Sequence, residues 1–229
     1  MHPLISKILR AGTTLFSAFY LISLAFPTQV IAKDLVSSRS YWEDVQGQST
    51  FDDVQAQSYT SYDGVLAKGY RDSVFWLRLR IEPATAAHVG EKLVLRVRPS
   101  FLDQVVLFDP TDTTRAGPVR AGDMTPWSES EYPSLNHGFL IASLPQARDV
   151  YLRVSSTSTL MIHVEALTQL EASRLDHAQE LIYSVSTGLI VMFLAWVFVS
   201  WLNDRDHLNR AFVIKQLASV LYTVGYFGY

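Results

Sequence analysis

The sequence predicts a mainly β architecture, an antiparallel β-sandwich or jelly-roll ectodomain followed by α-helical transmembrane segments. Three observations predict it. Between Lys33 and Thr168 apolar and polar residues alternate with period two, the signature of strands with one face on a core and one toward water. From Leu181 to Leu202 there are 22 consecutive residues without a charge, enough for a helix to cross a hydrocarbon layer about 30 Å thick. At the N-terminus a basic stretch precedes an apolar one, the order of an export signal.

Taken in order, residues 1–32 read as a signal peptide. Lys7 and Arg10 form the basic region, Leu15–Phe26 the apolar one, and Pro27 breaks it before Val30-Ile31-Ala32. Cleavage is expected after Ala32, an uncleaved anchor being the alternative; either way the following segment is exported.

The β domain is expected over 33–168. Phe75–Ile81, Leu93–Arg98 and Val150–Val154 alternate cleanly, Leu160–Val164 less so, and Gln104–Phe108 reads as a more fully buried strand. Pro83, Gly90, Pro99-Ser100, Asp109-Pro110, Gly117-Pro118, Gly122-Asp123 and Leu144-Pro145 supply turns between them. Many short strands with no helical pattern among them favour two packed antiparallel sheets.

A helical junction follows over 169–180. Thr168-Gln169-Leu170-Glu171 is a capping-box pattern, and Leu167, Leu170, Leu175, Ala178 and Ile182 recur with roughly helical spacing. The first transmembrane helix is expected over 181–202, with Tyr183, Trp196 and Trp201 as interfacial aromatics. With the β domain outside, Arg205, Arg210 and Lys215 fall on the cytoplasmic side. A second membrane helix starts at 210 and stops at Tyr229 without a polar flank. It looks cut short, as a fragment of a larger protein or a natural truncation.

Composition narrows the function. The net charge is −3 over 229 residues, and no basic tract stands ready to displace counterions from nucleic-acid phosphates. Cysteine is absent, which removes disulfides, thiolate catalysis and Cys-ligated metal sites. No phosphate loop, nucleophile elbow or dinucleotide fingerprint occurs. The carboxylate pairs Asp52-Asp53 and Glu129/Glu131 lack any sign of the set separation that glycoside chemistry needs. His137 and His163 have no partners at metal-ligand spacing such as a His-x-x-x-His pair. The expectation is a non-enzyme with no cofactor and no metal.

One binding surface is suggested. If Phe75, Leu77 and Leu79 face the core, Trp76, Arg78 and Arg80 share the opposite face. Arg96, Arg98, Tyr151 and Arg153 point outward by the same logic. Were these strands neighbours, guanidinium groups beside aromatic rings would suit an anionic or carbohydrate ligand. The plainer alternative is a solvated, ion-paired face with Trp76 in a second core layer. Trp127 and Tyr132, aromatics in a polar loop, are further ligand candidates.

Phe75-Trp76-Leu77-Arg78-Leu79, Leu93–Val97, Leu102–Phe108 and Val150–Ser156 resemble strands of one family. It is the bacterial seven-transmembrane receptors with diverse intracellular signalling modules, and the match is to their type-2 extracellular domain. The apolar helix ending in Asn203–Leu208 resembles the start of the family's seven-helix block. The expected Tyr-Asn pair near Ala195-Trp196 is missing, and neither seven helices nor a cytoplasmic cyclase or kinase domain is present in this sequence.

The resemblance implies the periplasmic sensing and membrane-anchoring part of a receptor in the bacterial inner membrane. The expected partners are a small ligand (carbohydrate or anionic) or a periplasmic protein, the inner membrane itself, and a second copy meeting through the junction helix. The rival reading is a membrane-tethered carbohydrate-binding or envelope-interaction module without a signalling role.

Overall fold

Alternating strands bury one face each, and the chain satisfies ten of them at once by stacking two antiparallel sheets. The computed structural model describes residues 32–85, 88–113 and 117–227. The expected signal segment, short of Ala32, lies outside them. The strands are β1 Val36–Asp44, β2 Thr60–Tyr62, β3 Leu66–Tyr70, β4 Val74–Ile81 and β5 Lys92–Arg98. They continue as β6 Gln104–Phe108, β7 Val119–Ala121, β8 His137–Ala142, β9 Arg148–Ser155 and β10 Thr159–Thr168. One sheet has the order β2-β1-β4-β9-β6-β7 and the other β3-β10-β5-β8.

The core lies between them. Phe75, Leu77 and Leu79 of β4 and Val150, Leu152 and Val154 of β9 meet Leu93, Leu95 and Val97 of β5 and Ile162, Val164 and Ala166 of β10. All are essentially inaccessible, and each large side chain removed from water contributes about 1.5–3 kcal/mol before entropy is counted. The entering chain ties the sheets together at one edge. Asp34 accepts from the amides of Val36 and Ala166 and pairs with Arg39, whose Nε donates to the Val164 carbonyl.

Each sheet carries a helix on its outer face. A five-residue helix, α1 (Phe51–Gln55), covers the six-stranded sheet. The sequence reading expected no helix among the strands, and this one corrects it. A single turn is too short to show a period, and its only local mark is Thr50, whose amide and hydroxyl both donate to Asp53 Oδ2 at 2.9 and 2.6 Å.

The four-stranded sheet carries α2 (Gln169–Asn203), which follows β10 without a linker. Its capping box forms as the sequence indicated. Glu171 N donates to Thr168 Oγ1 at 3.3 Å, and Thr168 N donates to Glu171 Oε2 at 3.3 Å. The 35 residues of α2 make one rod about 52 Å long. Among the described residues it is the helix long and apolar enough to cross a membrane. After a short turn α3 (His207–Phe227) packs back along it, with Gln216 Nε2 donating to the Ile190 carbonyl at 3.3 Å.

Candidate functional site

The site of greatest chemical interest is where α2 leaves the sandwich. Alternation in β5 sends Leu93, Leu95 and Val97 inward and Val94, Arg96 and Arg98 outward. Glu165 stands directly across from Arg96 on β10. The first turns of α2 pack on β5 and β10 over this face, where Val94, Leu167 and Ala172 are all fully buried. Ala172, Asp176, Gln179 and Tyr183 recur every three to four residues and so share one side of the helix.

Arg96 is the hub. Its side chain is 3% exposed, against 5% for Asp176 and 13% for Glu165. Nε donates to Asp176 Oδ1 at 2.9 Å, Nη1 to Glu165 Oε1 at 2.9 Å, and Nη2 to Gln179 Oε1 at 2.7 Å. Thus one guanidinium joins strand to strand and strand to helix. Asn136, in the loop before β8, donates from Nδ2 to the same Gln179 oxygen at 3.1 Å, and Gln179 Nε2 donates to the Tyr183 hydroxyl at 3.1 Å.

Electrostatics follow from this geometry. Burial alone would raise the Glu165 carboxyl. Hydrogen bonds from His163 and Arg96, with the charges of Arg98 and Arg96, outweigh it and hold the group at about 2. The Tyr132 hydroxyl is pushed up to about 12, first by burial and then by the Asp176 carboxylate beside it. Tyr132 packs against Gly138, where a Cβ would sit 2.6 Å from the ring's Cδ1. Only a glycine admits the ring at that distance.

The expected ligand residues divide between two faces. Arg78, Arg80, Tyr151 and Arg153 do share the outer face of the six-stranded sheet, through the pairing of β4 with β9. Arg78 stacks over Tyr59 at 4.6 Å from the ring centroid, and Arg80 pairs with Asp149 at 3.1 Å. Arg153 donates to Gln104 Oε1 at 3.1 Å and to the Gly47 carbonyl at 3.4 Å. Tyr151 is 7% exposed and meets Phe51 and Tyr59 edge-on.

Arg96 and Arg98 do not join them, because β4 and β5 belong to different sheets. Arg98 reaches Glu165 at 3.4 Å and lies at the margin of the hub. The idea of one arginine-rich face is thereby corrected. Tyr132 joins Arg96 at the hub, while Trp127 opens a short 3-10 turn, Trp127–Glu129, and its side chain lies outside the described residues. Trp76 is buried in a second apolar layer with Val54, Val74, Phe51 and Phe108.

Sequence reasoning missed Asp176 and Gln179. The leucine spacing drew attention to the wrong side of α2, since Leu170 is 60% and Ile182 49% exposed. The signal that could have found them is the Ala172-x-x-x-Asp176-x-x-Gln179 spacing, a small and polar stripe beginning just after the cap. The paired carboxylates also have structural work. Asp53 closes the start of α1, and Glu131 Oε2 accepts from Leu140 N at 3.1 Å.

The sandwich and the membrane-length helix are thus joined by a buried ionic cluster. No curated protein matches the chain. Residues 37–168, more than half of the sequence, match the family described as 7TMR-DISM extracellular 2. The chain belongs to that family, and its β-sandwich is the extracellular sensor domain of a membrane receptor.

Proposed function

We propose that the sandwich lies in the periplasm of a bacterial cell, anchored in the inner membrane by α2, and that its state passes to the membrane through the Arg96 hub. A small ligand or a periplasmic protein supplies the input. The observation that carries this reading is the ion pair between Arg96 and Asp176, with both side chains at most 5% exposed. It clamps a strand of the sensor sheet to a helix that continues unbroken into the apolar span. A flexible tether needs no such clamp, and desolvating two charges is costly unless their geometry is held.

In this reading Arg96 and Tyr132 transmit, while Arg78, Arg80 and Arg153 lie on the outer face of the other sheet beside the buried Tyr151. A ligand acts only through different affinities for two states of the joint.

The test uses the whole chain in nanodiscs. A thermal-shift screen against sugars, carboxylates, phosphates and peptidoglycan fragments finds a saturable stabiliser, since binding to the native state raises apparent stability. Amide hydrogen exchange across Gln169–Tyr183 is then compared with and without it. Receptor function predicts altered exchange at the joint. A ligand that stabilises the sandwich and leaves α2 untouched would establish the tethered binding module instead.

A further inference from the structure

Strand register fixes which end of the sandwich α2 passes on its way to the apolar span. Asp44 pairs with Val74, Phe75 with Val154, Ser155 with Gln104, Val105 with Ala121 and Val97 with His137. This gathers the loops 45–50, 99–103 and 122–136 at one end. The turns 71–73 and 156–158 cross between the sheets at the same end. A cavity of about 170 Å³ is lined there by Arg98, Phe101 and Leu135 and by Gln179 and Tyr183 of α2. Tyr183 lies two residues inside the uncharged run that begins at Leu181, a rise of about 3 Å. This end of the sandwich is therefore level with the start of the span.

The same end carries the barest apolar side chains of the sandwich. Among the described residues Tyr70 and Met124 are 79% exposed and Val45 70%, and its other exposed bulky apolar side chains are at 50% or below. Tyr70 closes β3, Val45 follows β1 and Met124 lies shortly after β7. Three segments far apart in sequence thus present one such side chain each. Apolar groups left bare together mark a contact surface, and tyrosine suits the boundary between headgroups and hydrocarbon.

Charge decides which kind of surface fits. In the loops 45–50, 71–73, 99–103, 122–136 and 156–158, Arg71 is the one basic residue, while Asp72, Asp103, Asp123, Glu129 and Glu131 are acidic. Anionic membrane surfaces attract basic clusters, and they would repel this end. Arg98, at its edge, is already shared with Glu165. The contact is left to apolar groups and headgroups without net charge.

We propose that this end of the sandwich docks on the bilayer that α2 crosses, with Val45, Tyr70 and Met124 seated among zwitterionic headgroups. The docking rests on the receptor reading above in taking α2 as the span, and adds a second hold on the membrane. A helix alone leaves the sandwich free to tilt about its point of entry. Tyr70 comes from the four-stranded sheet and Val45 and Met124 border the six-stranded one. Contacts under both sheets fix the tilt, so a rotation of the sandwich has to draw these side chains out of the interface.

The chain has no cysteine, so single thiols can be labelled with bimane in full-length protein held in phosphatidylcholine nanodiscs. Part of the lipid carries a nitroxide near the top of one acyl chain and quenches any bimane that reaches it. Tyr70→Cys and Met124→Cys should be quenched about fivefold more than Val89→Cys, in the loop at the opposite end. Quenching at Ser100→Cys should drop by a similar factor when Tyr70→Asp and Met124→Asp are added, because charged side chains leave the interface. Loop labels no better quenched than Val89→Cys, or a Ser100→Cys signal indifferent to the acidic pair, would overturn the docking. Stronger quenching in discs rich in phosphatidylglycerol would overturn it too, by assigning the contact to charge. Val191→Cys, within the span, separates the two readings. If it is quenched while the loops are not, α2 still spans and only the docking falls; if it is not quenched, the anchored receptor falls with it.

Discussion

Two strands of nearly the same local pattern end in opposite environments. In β4, Leu77-Arg78-Leu79-Arg80 alternates as Leu95-Arg96-Val97-Arg98 does in β5. Yet Arg78 and Arg80 remain partly exposed while Arg96 is 2% exposed. The difference is what lies on top. On the six-stranded sheet, α1 lays Phe51 and Val54 over Trp76 and Phe108, making an apolar second layer with the arginines beside it. On the four-stranded sheet, α2 brings Asp176 and Gln179 down onto Arg96. One cover is glued by aromatic contact and the other by charge. Aromatic contact tolerates sliding. A charge cluster with three filled guanidinium nitrogens has few alternative arrangements.

The largest expected effect separates these two glues. Arg96→Ala leaves Asp176 buried without its guanidinium and Glu165 with Arg98 and His163 alone, and should destabilise the sandwich by about 3–5 kcal/mol. The combined Arg96→Met, Asp176→Leu change should recover most of that loss, because it removes both charges rather than one. Denaturant unfolding followed by near-UV circular dichroism measures both. A double variant as unstable as Arg96→Ala would mean that the hub's value is not chiefly the pairing of these charges.

Acid should attack the same joint. Glu165 is held at about 2 against an ordinary value of 4.5. Its folded value is depressed, so its contribution is complete above about 4.5 and is lost as pH falls from there toward 2. The unfolding midpoint should therefore decline across that window, and Glu165→Gln should flatten the decline. Asp44 and Asp103 are lowered too, each by backbone and side-chain hydrogen bonds that outweigh the effect of burial. They lie away from the hub and leave a residual acid limb in the variant. An unaltered pH profile in Glu165→Gln would show that the carboxylate is not stabilised in the fold.

Steric crowding gives an intermediate effect. Gly138→Ala would place a methyl 2.6 Å from Tyr132 Cδ1 and 3.0 Å from its Cβ. The ring must shift, at a cost of about 1–3 kcal/mol. In a double-mutant cycle, Tyr132→Gly should make Gly138→Ala nearly harmless, because both the ring and the Cβ that it would meet are gone. Additive losses would locate the cost in the β8 backbone instead.

How much of this was legible in the sequence follows from how far each feature reaches. Period two marked which side of β4 and β5 each residue takes, and Thr168 with Glu171 marked the start of α2. Both are properties of a few adjacent residues. That Arg96 lies over a different sheet from Arg78 is decided by pairing β5 with β10, whose residues lie about seventy positions away. No local pattern encodes it. Asp176 was hidden for a related reason. A buried aspartate is recognisable only through its partner, and the leucines of α2 spell an apolar stripe directed away from the sandwich. Trp76 went the plainer way of the two open to it, into a second apolar layer made possible by α1.

The smallest expected effects belong to the other face, and they sharpen the comparison by their size. Arg80 and Asp149 form an exposed pair, with side chains 46% and 32% accessible, of a kind worth about 0–1 kcal/mol and weakened by salt. Arg78 stacked over Tyr59 adds about 0.5–1 kcal/mol as a cation over a ring. Arg80→Ala and Arg78→Ala should therefore shift the unfolding midpoint slightly, several-fold less than Arg96→Ala, although the three residues occupy equivalent places in the alternation. Raising the salt concentration should erase most of the Arg80→Ala difference and little of the Arg96→Ala one, since α2 shields the hub from mobile ions. If Arg78→Ala proved as damaging as Arg96→Ala, the six-stranded face would be a second ionic joint rather than an aromatic layer. The division of labour between the two covers would then have to be redrawn.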